Sequence, residues 1–285
     1  MVQETTNFGY LPKEYSAPEN ARVVVVPVPY DGTSTWLKGA DKGPQAIIEA
    51  SANMELYDIE TNSEVYRKGI FTDKPIQGKL SPEDMVEAVR QRVQDHIQEG
   101  RFAVVIGGEH SVSIGSVMAH VQRYGDITVL QLDAHCDLRD EYEGSKYNHA
   151  CVMARIKELC PIVQVGIRSM DSSEKEFLDR SRVFFAKDIC HKADWLNEVV
   201  AKLSQQVYIS IDLDVFDPSI MPSTGTPEPG GLLWYDVLAL LRAVCEQRNV
   251  VGFDVVELCP DSRNLAPDFM AAKLIYKLLS YKFRA

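Results

Sequence analysis

Hydrophobic positions fall into short, nearly unbroken runs rich in Val and Ile, at residues 22–28, 102–106, 127–132, 162–165, 183–185, 207–211 and 250–256. A strand that is apolar at successive positions is buried on both faces, which is the pattern of a parallel sheet covered by helices. The segments between these runs have helical spacing. Ser81 stands where a helix N-cap belongs, followed by Pro82 at the first helical position and by Glu83 and Asp84 in the first turn. Met85, Val86, Val89, Val93 and Ile97 then share one face, and Gly100 ends the run. Further helices are expected at 44–53, 111–124, 150–159, 173–179, 195–203, 234–248 and 267–279. The alternation predicts an α/β fold: one doubly wound, mostly parallel β-sheet with helices on both faces, spanning 1–285 as a single domain. Stretches 54–80 and 215–232 read as irregular. The second is rich in Pro and Gly, and an unstructured loop of that length in a compact domain is usually functional.

Polar residues gain meaning from where they fall. In open α/β sheets, ligands bind beyond the carboxyl ends of the strands. His110 follows the 102–106 run through Gly107-Gly108-Glu109, where the glycines are expected to permit a tight turn. Asp133, His135 and Asp137 follow 127–132, Asp212 and Asp214 close 207–211, and Glu257 closes 250–256. Residues two apart on a strand share a face, so Asp133-Ala134-His135-Cys136-Asp137 and Asp212-Leu213-Asp214 are expected to aim their acids and imidazole at one point, with Cys136 facing away. Carboxylates crowded together out of water are costly unless cations hold them. A binuclear metal centre answers that cost. Oxygen-dominated ligands with two imidazoles and no thiolate suit Mn²⁺, then Mg²⁺, with Zn²⁺ and Fe²⁺ further candidates. Two such ions about 3.5–4 Å apart can lower the pKa of a shared water towards about 7.

Bulk properties narrow the classes. A formal charge of −11 over 285 residues argues against nucleic acid and anionic membranes as partners. It suits a small cationic substrate. No segment approaches the ~20 apolar residues of a membrane span, and 1–10 lacks the basic and apolar regions of a signal peptide. Six scattered cysteines without a C-x-x-C pair fit reduced thiols, so a cytoplasmic protein is expected.

Three runs, Gly107-Gly108-Glu109-His110-Ser111, Asp133 to Asp137, and Ser210-Ile211-Asp212-Leu213-Asp214-Val215-Phe216-Asp217-Pro218, resemble the metal-binding signatures of the ureohydrolase (arginase/agmatinase) superfamily. The loop from Pro222 to Gly231 resembles it too, as do Val28-Pro29-Tyr30-Asp31-Gly32-Thr33 and Lys42 to Ile47. The likeness covers nearly the whole chain in order. It implies two Mn²⁺ per chain, bridged by Asp133 and Asp212, with His110 and Asp137 completing one site and His135 and Asp214 the other. It further implies hydrolysis of a guanidinium to urea and an amine, with Glu257 binding the guanidinium, Thr226 contacting substrate and His149 donating a proton to the leaving amine. Assembly as a homotrimer or homohexamer is the family's habit.

Arginases carry an Asn/Ser-rich stretch after the second metal run. Here Leu138-Arg139-Asp140-Glu141-Tyr142-Glu143-Gly144 replaces it, and the sequence looks more like agmatinases. Asp140, Glu141 and Glu143 are expected to attract an ammonium tail and to repel a carboxylate. Agmatine, giving putrescine and urea, is the expected substrate, with aminopropylagmatine, guanidinobutyrate and arginine as alternatives, and a non-catalytic sensor of guanidine compounds as the rival from another class. Glu109, where many relatives have Asp, and Ala150, where arginases have Gly, depart from the pattern. His96, His120 and His191 are expected at the surface.

Overall fold

The computed structural model describes residues 7–190 and 192–284. His191 and part of the 1–10 segment therefore lie outside the described residues. Eight strands, β1 (Val23–Val28), β2 (Ile70–Thr72), β3 (Phe102–Gly107), β4 (Ile127–Leu132), β5 (Ile162–Ile167), β6 (Val183–Phe185), β7 (Gln206–Asp212) and β8 (Asn249–Val256), form one sheet. Their spatial order is β2-β1-β3-β8-β7-β4-β5-β6, and every pairing is parallel. Helices cover both faces, as the unbroken apolar runs require. One core packs Leu130, Leu132, Ile209, Ile211 and Phe253 under the helices Gly43–Ser51, Trp234–Gln247 and Ala266–Lys282. The other packs Val105, Val129 and Tyr208 under Pro82–Gln98 and Val112–Tyr124.

The chain leaves β3 on one side of the sheet and resumes with β4 on the other, and β7 and β8 later fill the gap between them. The four central neighbours β3, β8, β7 and β4 are therefore the strands that carry the chemically suggestive residues. A reversal of winding of this kind opens a crevice at the carboxyl ends.

Several expectations are corrected. Strand β2 lies inside the stretch read as irregular. It is three residues long at the sheet's edge, with only Ile70 fully buried, too short for a pattern. His96 and His120 are buried, not at the surface. His96 bonds Asp73 at 2.7 Å. His120 packs on Tyr208 and fills the space over Gly252, where a Cβ would lie 2.1 Å from its Nε2. The glycine pair also has a different reason from the one expected. Neither adopts a left-handed conformation; instead a Cβ on Gly108 would lie 1.9 Å from the Tyr30 carbonyl oxygen, so the β1 loop can lie against it only if it is glycine.

Candidate metal centre and active site

Strand alternation converges the acids less than the turns that follow the strands. β4 ends at Leu132, so Asp133 to Asp137 lie beyond it, and Asp137 has φ 53°. This left-handed conformation is costly for a non-glycine residue and is held by neighbours: the Asp137 carbonyl accepts the backbone N–H groups of Met153 (2.9 Å) and Ala154 (3.1 Å) at the start of a helix. Similarly, Asp212 ends β7 and caps the 3-10 turn Leu213–Val215, accepting the Asp214 N–H at 2.9 Å. Cys136 does point away, into the apolar core.

The result is a compact set. His110 Nδ1 lies 3.1 Å from Asp133, 3.0 Å from Asp137 and 3.4 Å from Asp212, in each case to Oδ2. His135 Nδ1 lies 2.9 Å from Asp214 Oδ2 and 3.6 Å from Asp133 Oδ1. His110, Asp133 and Asp212 form one ligand trio, and Asp133, His135 and Asp214 a second, so Asp133 is shared. The backbone holds the outer oxygens: Asp214 Oδ1 accepts from Ala134 N–H at 3.0 Å and Asp133 Oδ1 from His135 N–H at 2.6 Å. Asp133 Oδ2 also accepts from Gln131 Nε2 at 2.7 Å, while the Oδ2 atoms of Asp137, Asp212 and Asp214 are turned to the imidazoles.

A cation fits this set on evidence from His110. Its Nε2 is 2.9 Å from Ser210 Oγ, whose own proton goes to Asp254 Oδ1 at 2.8 Å. Ser210 therefore accepts from Nε2–H, which fixes the tautomer and turns the Nδ1 lone pair inward. That Nδ1 is buried and makes no hydrogen bond. Three carboxylates around that nitrogen call for a cation: despite burial, Asp133, Asp137 and Asp212 favour a proton there and push the His110 pKa well above its ordinary value, and a divalent ion would take that proton's place. The proton affinities carry the same message. Burial and the Asp133 carboxylate push Asp137 up to about 7. Burial and the nearby Asp214 and Asp133 drive Asp212 well above the carboxylate range. His135, despite burial, is raised to about 12 by Asp214 and Asp133.

Over this set opens a cavity of about 280 Å³, lined by His110, His135, Asp137, Asp212, Asp214, His149, Glu257 and Thr226. Glu257 is buried with φ 66°. Its Oε1 accepts the His110 N–H at 2.6 Å, and its Oε2 lies beside Gly225, where a Cβ would sit 3.7 Å away. His149 opens the turn His149–Cys151 and is brought down to about 4 by burial. Thr226 is exposed at the rim.

Asp140 and Glu141 are a correction. Both are exposed and neither lines the cavity. Asp140 pairs outward with Arg155 (2.6 Å) and Lys146 (3.3 Å). The acids that do line the mouth are Asp171 and Glu174, with Trp36, Leu37 and Tyr142 beside them. Sequence reasoning missed the two acids, although the strand-end rule applied to β5 leads straight to them.

A parallel sheet whose central strands deliver carboxylates and imidazoles to one rim defines a class of metal-site α/β enzyme. The arginase family model matches residues 21–280. The N(1)-aminopropylagmatine ureohydrolase of Synechocystis is 40% identical, covering 92% of this chain and 89% of that protein. The agmatinase of Pyrococcus horikoshii is 32% identical, over 93% and 94%. The solved agmatine ureohydrolase of Thermoplasma volcanium superposes with TM-score 0.88 at 31% identity, over 99% of this chain and 96% of that one. The chain belongs to the arginase family, the ureohydrolases, which hydrolyse guanidino C–N bonds. No helix among the described residues is long and apolar enough to cross a membrane.

Proposed function

We propose that this ureohydrolase uses two Mn²⁺ to release urea from a guanidino polyamine, with N(1)-aminopropylagmatine the preferred substrate and agmatine the second. The observation that carries the reading is the pair of ligand trios sharing Asp133 in the same cavity as buried Glu257. The preference for the longer tail draws on the 40% identity to the Synechocystis enzyme, against 32% for the Pyrococcus agmatinase. It shifts the expectation from sequence, which put agmatine first.

His110, Asp133, Asp137 and Asp212 would hold one ion, and Asp133, His135, Asp212 and Asp214 the other. Bound there, the ions supply a nucleophile of hydroxide strength from water at neutral pH. Glu257 Oε2 accepts guanidinium N–H bonds and directs the central carbon to the ligand set. Burial and neighbouring Glu109 raise the Glu257 pKa well above its usual range, so a cationic group is what favours its charged form. When the C–N bond breaks, its electron pair leaves with the amine nitrogen, and His149 donates a proton to that nitrogen. At the mouth the Asp171 carboxylate, 3.8 Å from Arg139, is the acid open to a cationic tail, since Glu174 is buried with its oxygens taken by the Leu138 and Asp171 N–H groups; the exposed faces of Trp36 and Leu37 (73% and 48% exposed) suit the tail's methylenes.

Urea release with Mn²⁺ should be measured across N(1)-aminopropylagmatine, agmatine, arginine and guanidinobutyrate. The reading expects the first to have the highest kcat/KM, agmatine the next, and the two carboxylate-bearing compounds the lowest. Preferential turnover of arginine or guanidinobutyrate would overturn it.

A further inference from the structure

Thr33, from the β1 loop, reaches across the cavity wall to His149. Its Oγ1 lies 2.6 Å from Glu109 Oε1, 2.9 Å from the His149 backbone N and 3.2 Å from His149 Nδ1. With Glu109 as a carboxylate, each of these contacts has one direction. Glu109 is fully buried and is met only by donors: Thr33 N–H at 2.6 Å and Ser34 N–H at 3.0 Å on Oε2, and the Ser111 hydroxyl at 2.6 Å on Oε1 beside Thr33. As a carboxylate it accepts from all four groups. A threonine hydroxyl has one proton and two lone pairs. The proton goes to Glu109, one lone pair takes the His149 N–H, and the other faces Nδ1. Only Nδ1–H can complete that contact. An unprotonated Nδ1 would set two lone pairs against each other.

We infer that Thr33, oriented by Glu109, is a positioning residue that fixes the tautomer of His149, holding the ring proton on Nδ1 and reserving Nε2 for proton transfer to the leaving amine. The inference rests on the reading of His149 as the proton donor. The proton balance follows: with Nδ1–H facing Thr33, Nε2 takes up a proton from solvent in the open cavity and passes it to the departing nitrogen, which keeps the C–N electron pair, and the ring returns to the neutral form with its proton on Nδ1. The edge of Tyr142 against the ring, with centroids 6.2 Å apart, steadies the same orientation. It also gives the departure at 109 a function. Glu109 spans from the strand β3 turn to the hydroxyl and two backbone N–H groups of the β1 loop, so the loop and the histidine are set by one carboxylate.

The test is a double-mutant cycle on the Mn²⁺-loaded enzyme, read as kcat, KM and bound metal per chain. Thr33→Val, close in shape but without the hydroxyl, should lower kcat by about tenfold to a hundredfold, the range for losing the partner that orients a functional histidine. KM and metal content should change little. Thr33→Ser should restore most of kcat. In a His149→Ala background, Thr33→Val should cost nothing further, because its effect runs through that ring. If His149→Ala alone leaves kcat intact, the role of His149 fails and this inference falls with it. If His149→Ala collapses kcat while Thr33→Val does not, or if Thr33→Val costs as much in both backgrounds, the tautomer role is wrong and the role of His149 stands. Should valine at 33 prevent folding, Thr33→Ala enters the same cycle with the same outcomes.

Discussion

Two clusters in which several carboxylates leave water together are neutralised in opposite ways. Between the 54–64 loop and the helix Ala266–Lys282, buried Asp58 and part-buried Glu60 meet Lys277 Nζ at 2.9 and 2.8 Å, and Tyr281 donates to Glu60 at 2.5 Å. Thr61 donates its N–H and hydroxyl to Asp58. That cluster carries its own cation and is closed. At the rim of β3, β8, β7 and β4, Asp133, Asp137, Asp212 and Asp214 surround imidazoles whose Nδ1 atoms point inward, and among the described residues no lysine or arginine side chain pairs with them. The first arrangement uses electrostatics to fix the fold. The second leaves charge unmatched, which the proposed ions, and then the proposed cationic substrate, would match.

The largest expected consequence is on the closed cluster. Lys277→Met should destabilise the fold by about 3–5 kcal/mol, because it strands a buried carboxylate, and should leave metal stoichiometry unchanged; denaturant unfolding and metal analysis check this. Burial alone would raise Asp58 and Glu60, but Lys277 prevails and holds both below their ordinary values. A depressed folded-state value gives stability that is full above the unfolded pKa of about 4 and is lost as the pH falls through the lower folded value. Acid unfolding of the parent protein should show that loss, and Lys277→Met should weaken it.

At the rim the asymmetry reverses. Asp133→Asn removes the shared ligand and should lower kcat by more than about 100-fold, beyond the usual range for outer-sphere partners, with bound metal depleted. Its unfolding in the presence of chelator should change little. Full metal occupancy in that variant would contradict a shared ligand. The smallest effect is expected at Asp140, which faces solvent and pairs with Arg155 and Lys146. Asp140→Asn should change kcat/KM for the polyamine substrates no more than a few-fold; a large loss would show that the mouth extends further than its lining residues.

The rim was more legible in the sequence than the closed cluster, for a physical reason. Candidate site residues at strand ends are announced by two local features, an apolar run and the acids or histidine just after it, so the placement of His110, Asp133, Asp212 and Glu257 at one rim was readable. The means of convergence was not: the left-handed backbone at Asp137 and the capped turn after Asp212 are set by the N–H groups they meet, and alternation along a strand gave the right faces for an incomplete reason. Lys277 meets Asp58 only through the tertiary fold, so nothing near either residue signals the pair. His120 was misplaced because one polar residue on a helix reads as solvent-facing, whereas its room comes from Gly252 on a distant strand. Asp140 and Glu141 failed by proximity: neighbours in sequence to the metal run, they turn outward, while Asp171 and Glu174 beyond β5 reach the mouth.

The most direct test of the account is equilibrium titration of the metal-stripped protein with Mn²⁺, counting bound ions per chain and following urea release in parallel. The account predicts saturation at two ions per chain, with activity reaching its plateau only when the second is bound. Saturation at a single ion, or full activity after the first, would contradict it.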